Sequence, residues 1–201
     1  MQGRTRPDPL EHDVFAGPHP ATLTVDPPGR FTQTCNILYP RALLDRLGGF
    51  DERAVTGEDV DLYLRARALG AGLVPAPDAI VNHAVESHTL PGIIRRGLRW
   101  RHLAYVLRRH PELRRDCVFG VFWERRHLEV LLTVAGLLAA RHRPAAALLA
   151  LPYLRRGMER RGRRPSERLV AAAELPGQAL VDLAGMATLA AGGLRHRTLV
   201  L

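Results

Sequence analysis

A change of chemistry near residue 90 constrains this chain more than any single motif. Residues 1–90 hold 8 Arg against 12 Asp and Glu, a net charge of −4, whereas residues 91–201 hold 21 Arg against 8 acidic residues, a net of +13. A swing of that size predicts two parts in different surroundings, 1–90 and 91–201. The overall charge of +9 does not by itself select a nucleic acid as partner. Every basic residue is arginine in an Ala-rich chain, which marks a GC-rich coding bias as much as a binding face. No RNA- or DNA-binding motif accompanies the arginines, so no nucleic acid is expected. With 201 residues, 46% of them hydrophobic, the chain can bury a core. Two cysteines, Cys35 and Cys117, make neither a disulfide framework nor a metal knuckle. The opening MQGRTRPDPLEHD has no apolar h-region, so the default expectation is a cytosolic, reduced chain.

The first part reads as alternating short strands and helices. Residues 1–30, with PDP, GPHP and DPPG, read as loop or extended chain. Residues 31–39, FTQTCNILY, are β-prone and predict a strand. Pro40 suits a first helical position, and ARALLDRL predicts a short helix closed by Gly48-Gly49. A second helix opens at Thr56-Gly57-Glu58-Asp59, with Thr56 as cap and Asp59 completing a capping-box pattern. Val60, Leu64 and Ala68 share one face, and Asp61 and Arg65 form an i, i+4 pair on another. Leu73-Val74 and Ala79–Val81 predict short strands around a Pro75–Asp78 turn, ending at Asn82-His83.

The second part is helical and basic. Residues 91–126 mix dense arginine with Trp100, Tyr105, Phe119, Phe122 and Trp123. Apolar runs follow at Leu128–Ala140 and Ala145–Leu154, broken by Arg141-His142-Arg143-Pro144. A basic linker covers 155–168, and an Ala/Gly-rich stretch runs over 169–194. Neither of the first two runs reaches the ~20 residues a spanning helix needs, so a hairpin lying on a membrane or packed on a partner is expected. Trp123 and the arginine pairs 108–109, 114–115 and 125–126 suit an anionic membrane surface.

Chemistry concentrates where Glu58, Asp59 and Asp61 crowd the mouth of a helix, with His83 at the end of a nearby strand. Clustered carboxylates can be tuned apart in pKa so that one accepts a proton near neutral pH, and a His beside carboxylates can ligate a divalent cation. The plainer reading is that acidic residues in a first helical turn serve the helix dipole alone.

Several stretches in this order resemble the C-terminal half of the catalytic domain of GT-A glycosyltransferases. They are Thr34–Pro40, Leu47-Gly48-Gly49-Phe50-Asp51-Glu52, Gly57–Leu62 with Arg65, and Ala76–His83. The pattern is most similar to family 2, the inverting group, and is shared by the C-terminal segment of galactosyltransferases. The resemblance covers roughly residues 1–90 and implies an α/β fold, a partial GT-A domain with a Rossmann-like half, followed by an α-helical C-terminal extension. It implies a hexosyltransferase-type enzyme that moves a sugar from a nucleotide-sugar donor to a glycan or lipid-linked acceptor in envelope or polysaccharide synthesis.

By resemblance, Asp59 is the catalytic base, with Glu58 and Asp61 orienting the acceptor. Asn36, Gly48 and Gly49 shape the acceptor side, and His83 ligates the Mn²⁺ or Mg²⁺ on the donor diphosphate. Arg96-Gly97-Leu98-Arg99-Trp100 partly resembles the Gln-x-x-Arg-Trp motif of processive synthases, whose Trp stacks on the acceptor. The alternative for Trp100 is an amphipathic basic helix with its indole at an interface. The family's first half, with its metal-holding Asp-x-Asp, has no counterpart; the only Asp-x-Asp is Asp59-Val60-Asp61. Gln2-Gly3-Arg4 resembles a strand from inside the domain, so an N-terminally truncated chain is expected. Its place would be the cytoplasm, peripheral at the inner face of the plasma membrane. The competing expectation is a non-catalytic remnant or subunit that binds a membrane or a partner chain.

Overall fold

The structure, a computed structural model, describes all residues except His12, 15–18, Arg161 and Arg163. A parallel pair of strands, β1 (Gln2–Pro7) and β3 (Pro75–His83), forms its first sheet. The register runs from Gln2 opposite Pro75 to Pro7 opposite His83, with an irregularity between Gly3 and Arg4. β2 (Pro20–Ala21) and β4 (Glu86–Ser87) make a small antiparallel pair. Helices α1 (Arg41–Leu47) and α2 (Glu58–Ala68) lie between β2 and β3 in the chain. α3 (Leu90–Gly97), α4 (Leu103–Arg109), α5 (Arg125–Ala140), α6 (Leu151–Glu159) and α7 (Pro165–His196) follow the last strand. The expected order, mixed α/β and then helices, is what the chain adopts.

Two local expectations fail, those for residues 31–39 and 73–81. Residues 31–39 are not a strand. Thr34–Asn36 turn in a short 3-10 helix, and only Ile37 bridges to Gln2. The side chains explain the turn. The Asn36 amide donates to the carbonyls of Arg4 (2.9 Å) and Ala79 (2.8 Å), tying the two parallel strands together at the irregular point in their register. Cys35 Sγ lies 3.3 Å from Thr5 Oγ1. Residues 2–7, read as loop or extended chain with Gln2-Gly3-Arg4 resembling a strand, form the strand β1, for which β3 offers a ladder partner 73 positions away at Gln2↔Pro75. β3 runs unbroken from Pro75 to His83, so the expected Pro75–Asp78 turn and the second short strand are one strand, while Leu73-Val74 lies outside it.

The hydrophobic core crosses the boundary expected at residue 90. Ala54 and Val60 bury against Leu103, Val106 and Leu107 of α4, and Leu189 of α7 and Val200 close the same cluster. Phe31 stacks on Trp123 (5.0 Å between ring centres), and Trp123 on Trp100 (6.2 Å). A smaller cluster of Val130, Tyr153 and Met186 joins α5, α6 and α7. The expected hairpin is present as α5 and α6, closed by a 3-10 turn over Pro144–Ala150. α7 is long and apolar enough to cross a membrane by length and composition. Here its second half is packed, with Met186, Thr188, Leu189, Gly192 and Gly193 buried. Its Asp182, also buried, accepts hydrogen bonds from the Tyr153 hydroxyl (2.8 Å) and the Gln178 amide (2.9 Å).

Candidate active site

The mouth of α2 is shaped by a glycine. Gly57 is the residue before the helix and sits at φ 81°, a left-handed conformation that disfavours any side chain. Thr56, expected as the cap, instead donates from Oγ1 to the carbonyl of Arg99 (3.0 Å) and is buried. It ties the helix mouth to the chain ahead of α4. The first turn therefore keeps free backbone N–H groups, and carboxylates collect there as the dipole favours. Asp59 Oδ1 accepts the N–H of Val60 at 2.8 Å.

Asp59 is half-buried, and that burial pushes its carboxyl up to about 6. The negative charge of Glu58 pushes the same way, while the N–H groups of Val60 and Thr34 pull it back. A carboxylate with that midpoint is mostly ionised at pH 7 yet basic enough to take a proton. Beside it lies Tyr39, whose buried hydroxyl has no hydrogen-bond partner among the described residues. Burial first, and the Asp59 charge second, push that phenol up to about 12.

Asp61 departs from its expected role. The resemblance gives it an acceptor to orient, but it is 0% exposed and faces inward. Arg65 Nε donates to it at 2.8 Å and His110 Nε2 at 2.8 Å, with Arg109 at 3.4 Å. Burial alone would raise its pKa; the His110 and Arg65 hydrogen bonds win and hold it below the usual carboxylate range. Asp61 fastens α2 to Arg109 and His110 at the end of α4. Arg65 extends the fastening by donating to the carbonyls of Leu47 (2.9 Å) and Gly49 (2.8 Å). This holds the Gly48-Gly49 turn, at φ 71° and 73°, against α2. Asp51 is held in the same way by Arg53, by the Tyr105 hydroxyl (2.7 Å) and by Arg109, and lies well below the usual carboxylate range. Sequence reasoning misses Tyr39, Tyr105, Arg109 and His110; only the aromatic and basic density of 91–126 hints at the last three.

The other expected site residues scatter. Asn36 spends its amide N–H groups on the backbone of β1 and β3, so its visible work is structural. His83 ends β3, with Nδ1 2.9 Å from the Ala84 carbonyl and 3.3 Å from Thr22 Oγ1. Among the described residues no carboxylate bonds to it, and no three His, Cys, Asp or Glu side chains come together to hold a metal ion. A single imidazole does not fit Mn²⁺ or Mg²⁺, which take their ligands mainly from carboxylate and other oxygens. Trp100 packs its indole on the core and also lines a cavity of about 240 Å³ between α3 and α7. Trp123, Arg126, His127 and Asp182 share that wall.

Residues 26–102 match the model of a family described as glycosyltransferase like family 2. The match supports a family 2-like domain over this segment. No curated protein and no solved structure matches the chain. The family 2-like segment includes Asn36, Gly48, Gly49, Glu58, Asp59, Asp61, His83 and Trp100. It passes residue 90 without a break and ends just before α4, so α4 to α7 lie outside it. The match supports a glycosyltransferase at the level of the family.

Proposed function

We propose that the chain transfers a sugar from a nucleotide-sugar donor to an acceptor hydroxyl with inversion, using Asp59 as the base. The observation that carries this reading is a half-buried carboxyl, pushed up to about 6, at a helix mouth within the family 2-like segment. The acceptor oxygen attacks the anomeric carbon while Asp59 takes its proton, and the bond to the nucleoside diphosphate breaks with its electrons on the departing phosphate. Tyr39 supports the reading, because a buried hydroxyl without a partner can donate to a substrate oxygen. Glu58 raises the basicity of Asp59 through its charge. The acceptor class is a glycan or lipid-linked glycan of the cell envelope.

A second reading is a non-catalytic subunit. The open flank of β3 favours it, since Ile80 and Val81 are exposed and, among the described residues, β3 pairs only with β1. Such an edge is a site for another chain to pair. The test is release of nucleoside diphosphate from a panel of nucleotide sugars with glycan acceptors, together with calorimetric binding of the same donors. The expected result is acceptor-dependent release that Asp59→Asn abolishes without unfolding the chain. Neither release nor binding with any donor would leave the second reading in place.

A further inference from the structure

We infer that the α5–α6 hairpin is a membrane-docking element that lies in the interface of an anionic bilayer. The inference is independent of the role given to Asp59. Residues 130–158 contain no Asp or Glu but include Arg141, Arg143, Arg155 and Arg156. The base of the hairpin is anchored to the body. Val130 and Tyr153 bury against Met186, and Arg156 donates twice to Glu129, at 2.5 and 2.8 Å. Toward the tip the inner sides of the two arms press together, so that a Cβ on Gly136 would meet the Ala146 carbonyl and Leu149.

The outer sides have no cover. Leu137 and Leu138 on α5, Leu148 in the turn, and Leu151 and Leu154 on α6 are all exposed, Leu138 and Leu148 each at 63%. Between the two arms, Arg141, His142 and Arg143 are exposed. Among the described residues no acidic side chain pairs with Arg141 or Arg143; the contact of Arg141 is with its neighbour His142, at 2.9 Å. Leucines left in water at this density mark an interaction face.

Charge and length select the occupant. A second copy docking the same face on itself would set arginine against arginine, because a two-fold interface is self-complementary. An anionic lipid surface accepts both features, the leucines into the acyl boundary and the arginines at the phosphates. The stretch of α5 from Leu131 to Ala140 is about 15 Å long at 1.5 Å per residue, roughly half of a ~30 Å hydrocarbon core. An upright hairpin would drive Arg141 and Arg143 into hydrocarbon without reaching the far side. Lying flat, it lets both guanidinium groups reach back to the headgroups.

The experiment is cosedimentation of the full chain with two vesicle preparations, pure phosphatidylcholine and an equal mixture of phosphatidylcholine and phosphatidylglycerol. Binding should favour the anionic vesicles and fall as salt is raised. Arg141→Ala with Arg143→Ala should weaken it by about 10- to 30-fold, at about 1 kcal/mol for each arginine near the surface. Leu138→Ser with Leu148→Ser should weaken binding to the same vesicles, and circular dichroism should show an unchanged helical content because both positions face solvent. The inference is overturned by equal binding to both vesicles, or by variants that bind like the parent chain. Self-association removed by the leucine changes, with no vesicle binding, would assign the face to a second copy. Vesicle binding that survives alkaline carbonate would assign it to a spanning α7.

Discussion

The mouth of α2 and its inner face each hold an aspartate, two residues apart, and the fold treats them in opposite ways. Asp59 at the mouth is half-buried with backbone N–H groups and a second carboxylate for company, and its carboxyl is pushed up to about 6. Asp61 on the inner face is buried completely, yet Arg65 and His110 bond to it and hold it below its ordinary value. Burial acts on both; what differs is whether a cation is within hydrogen-bond reach. A buried carboxylate with cations is a structural tie, and one without them keeps the capacity to take up a proton.

The largest effect that can break this comparison is catalytic. If the two residues are divided between chemistry and structure, Asp59→Asn lowers acceptor-dependent nucleoside diphosphate release by about 10²- to 10⁴-fold, the usual worth of a general base. Its circular dichroism should match the parent. Equal rates in the two proteins would erase the distinction. The next effect falls on stability. Asp61→Ala leaves Arg65 and His110 facing each other without their anion, and should cost about 3–5 kcal/mol, as removal of one partner from a buried pair does. Urea unfolding measures it, and release per folded molecule should change little.

A smaller effect sharpens the contrast through pH. The folded-state pKa of Asp59 lies above the unfolded value, so its stabilising contribution is complete below about pH 4 and is lost as pH rises through about 6. Asp61 is depressed, so its contribution is present above about pH 4 and is lost on acidification. Asp59→Asn should therefore gain stability over the parent by about 2–3 kcal/mol between pH 4 and pH 8, at about 1.4 kcal/mol per pKa unit. Thermal melts at the two pH values give the sign directly, and an Asp59→Asn protein that loses stability at pH 8 would contradict it. The smallest expected effect belongs to Tyr39→Phe. The hydroxyl has no partner, so its removal should leave the melting temperature unchanged or slightly higher. A loss of release of up to about tenfold would count the hydroxyl among the substrate contacts.

Features decided within a few residues are readable from the sequence. The helix after Pro40 ends at a Gly-Gly turn with both glycines at positive φ, and the Asp61–Arg65 pair forms as i, i+4 spacing requires. The crowding of carboxylates at the helix mouth is equally plain. What escapes the sequence is set by distant partners. Residues 31–39 have strand composition, but Asn36 and Cys35 find better use for their side chains against β1 and β3. Nothing near Asp61 announces His110, 49 positions away, or near Asp51 announces Tyr105, 54 positions away. The acidic first part and basic second part look like separate domains for the same reason. Their side chains meet across one core, where Arg109 of the second part pairs with Asp51 and Asp61 of the first and His110 hydrogen-bonds to Asp61.

Carbon-13 NMR titration of the aspartate carboxyls, with the Asp59 and Asp61 signals assigned by their loss in Asp59→Asn and Asp61→Asn, tests the division most directly. The account predicts a midpoint near 6 for Asp59 and one below the ordinary aspartate value for Asp61. Two midpoints together near 4, the value of a solvated aspartate, would contradict it.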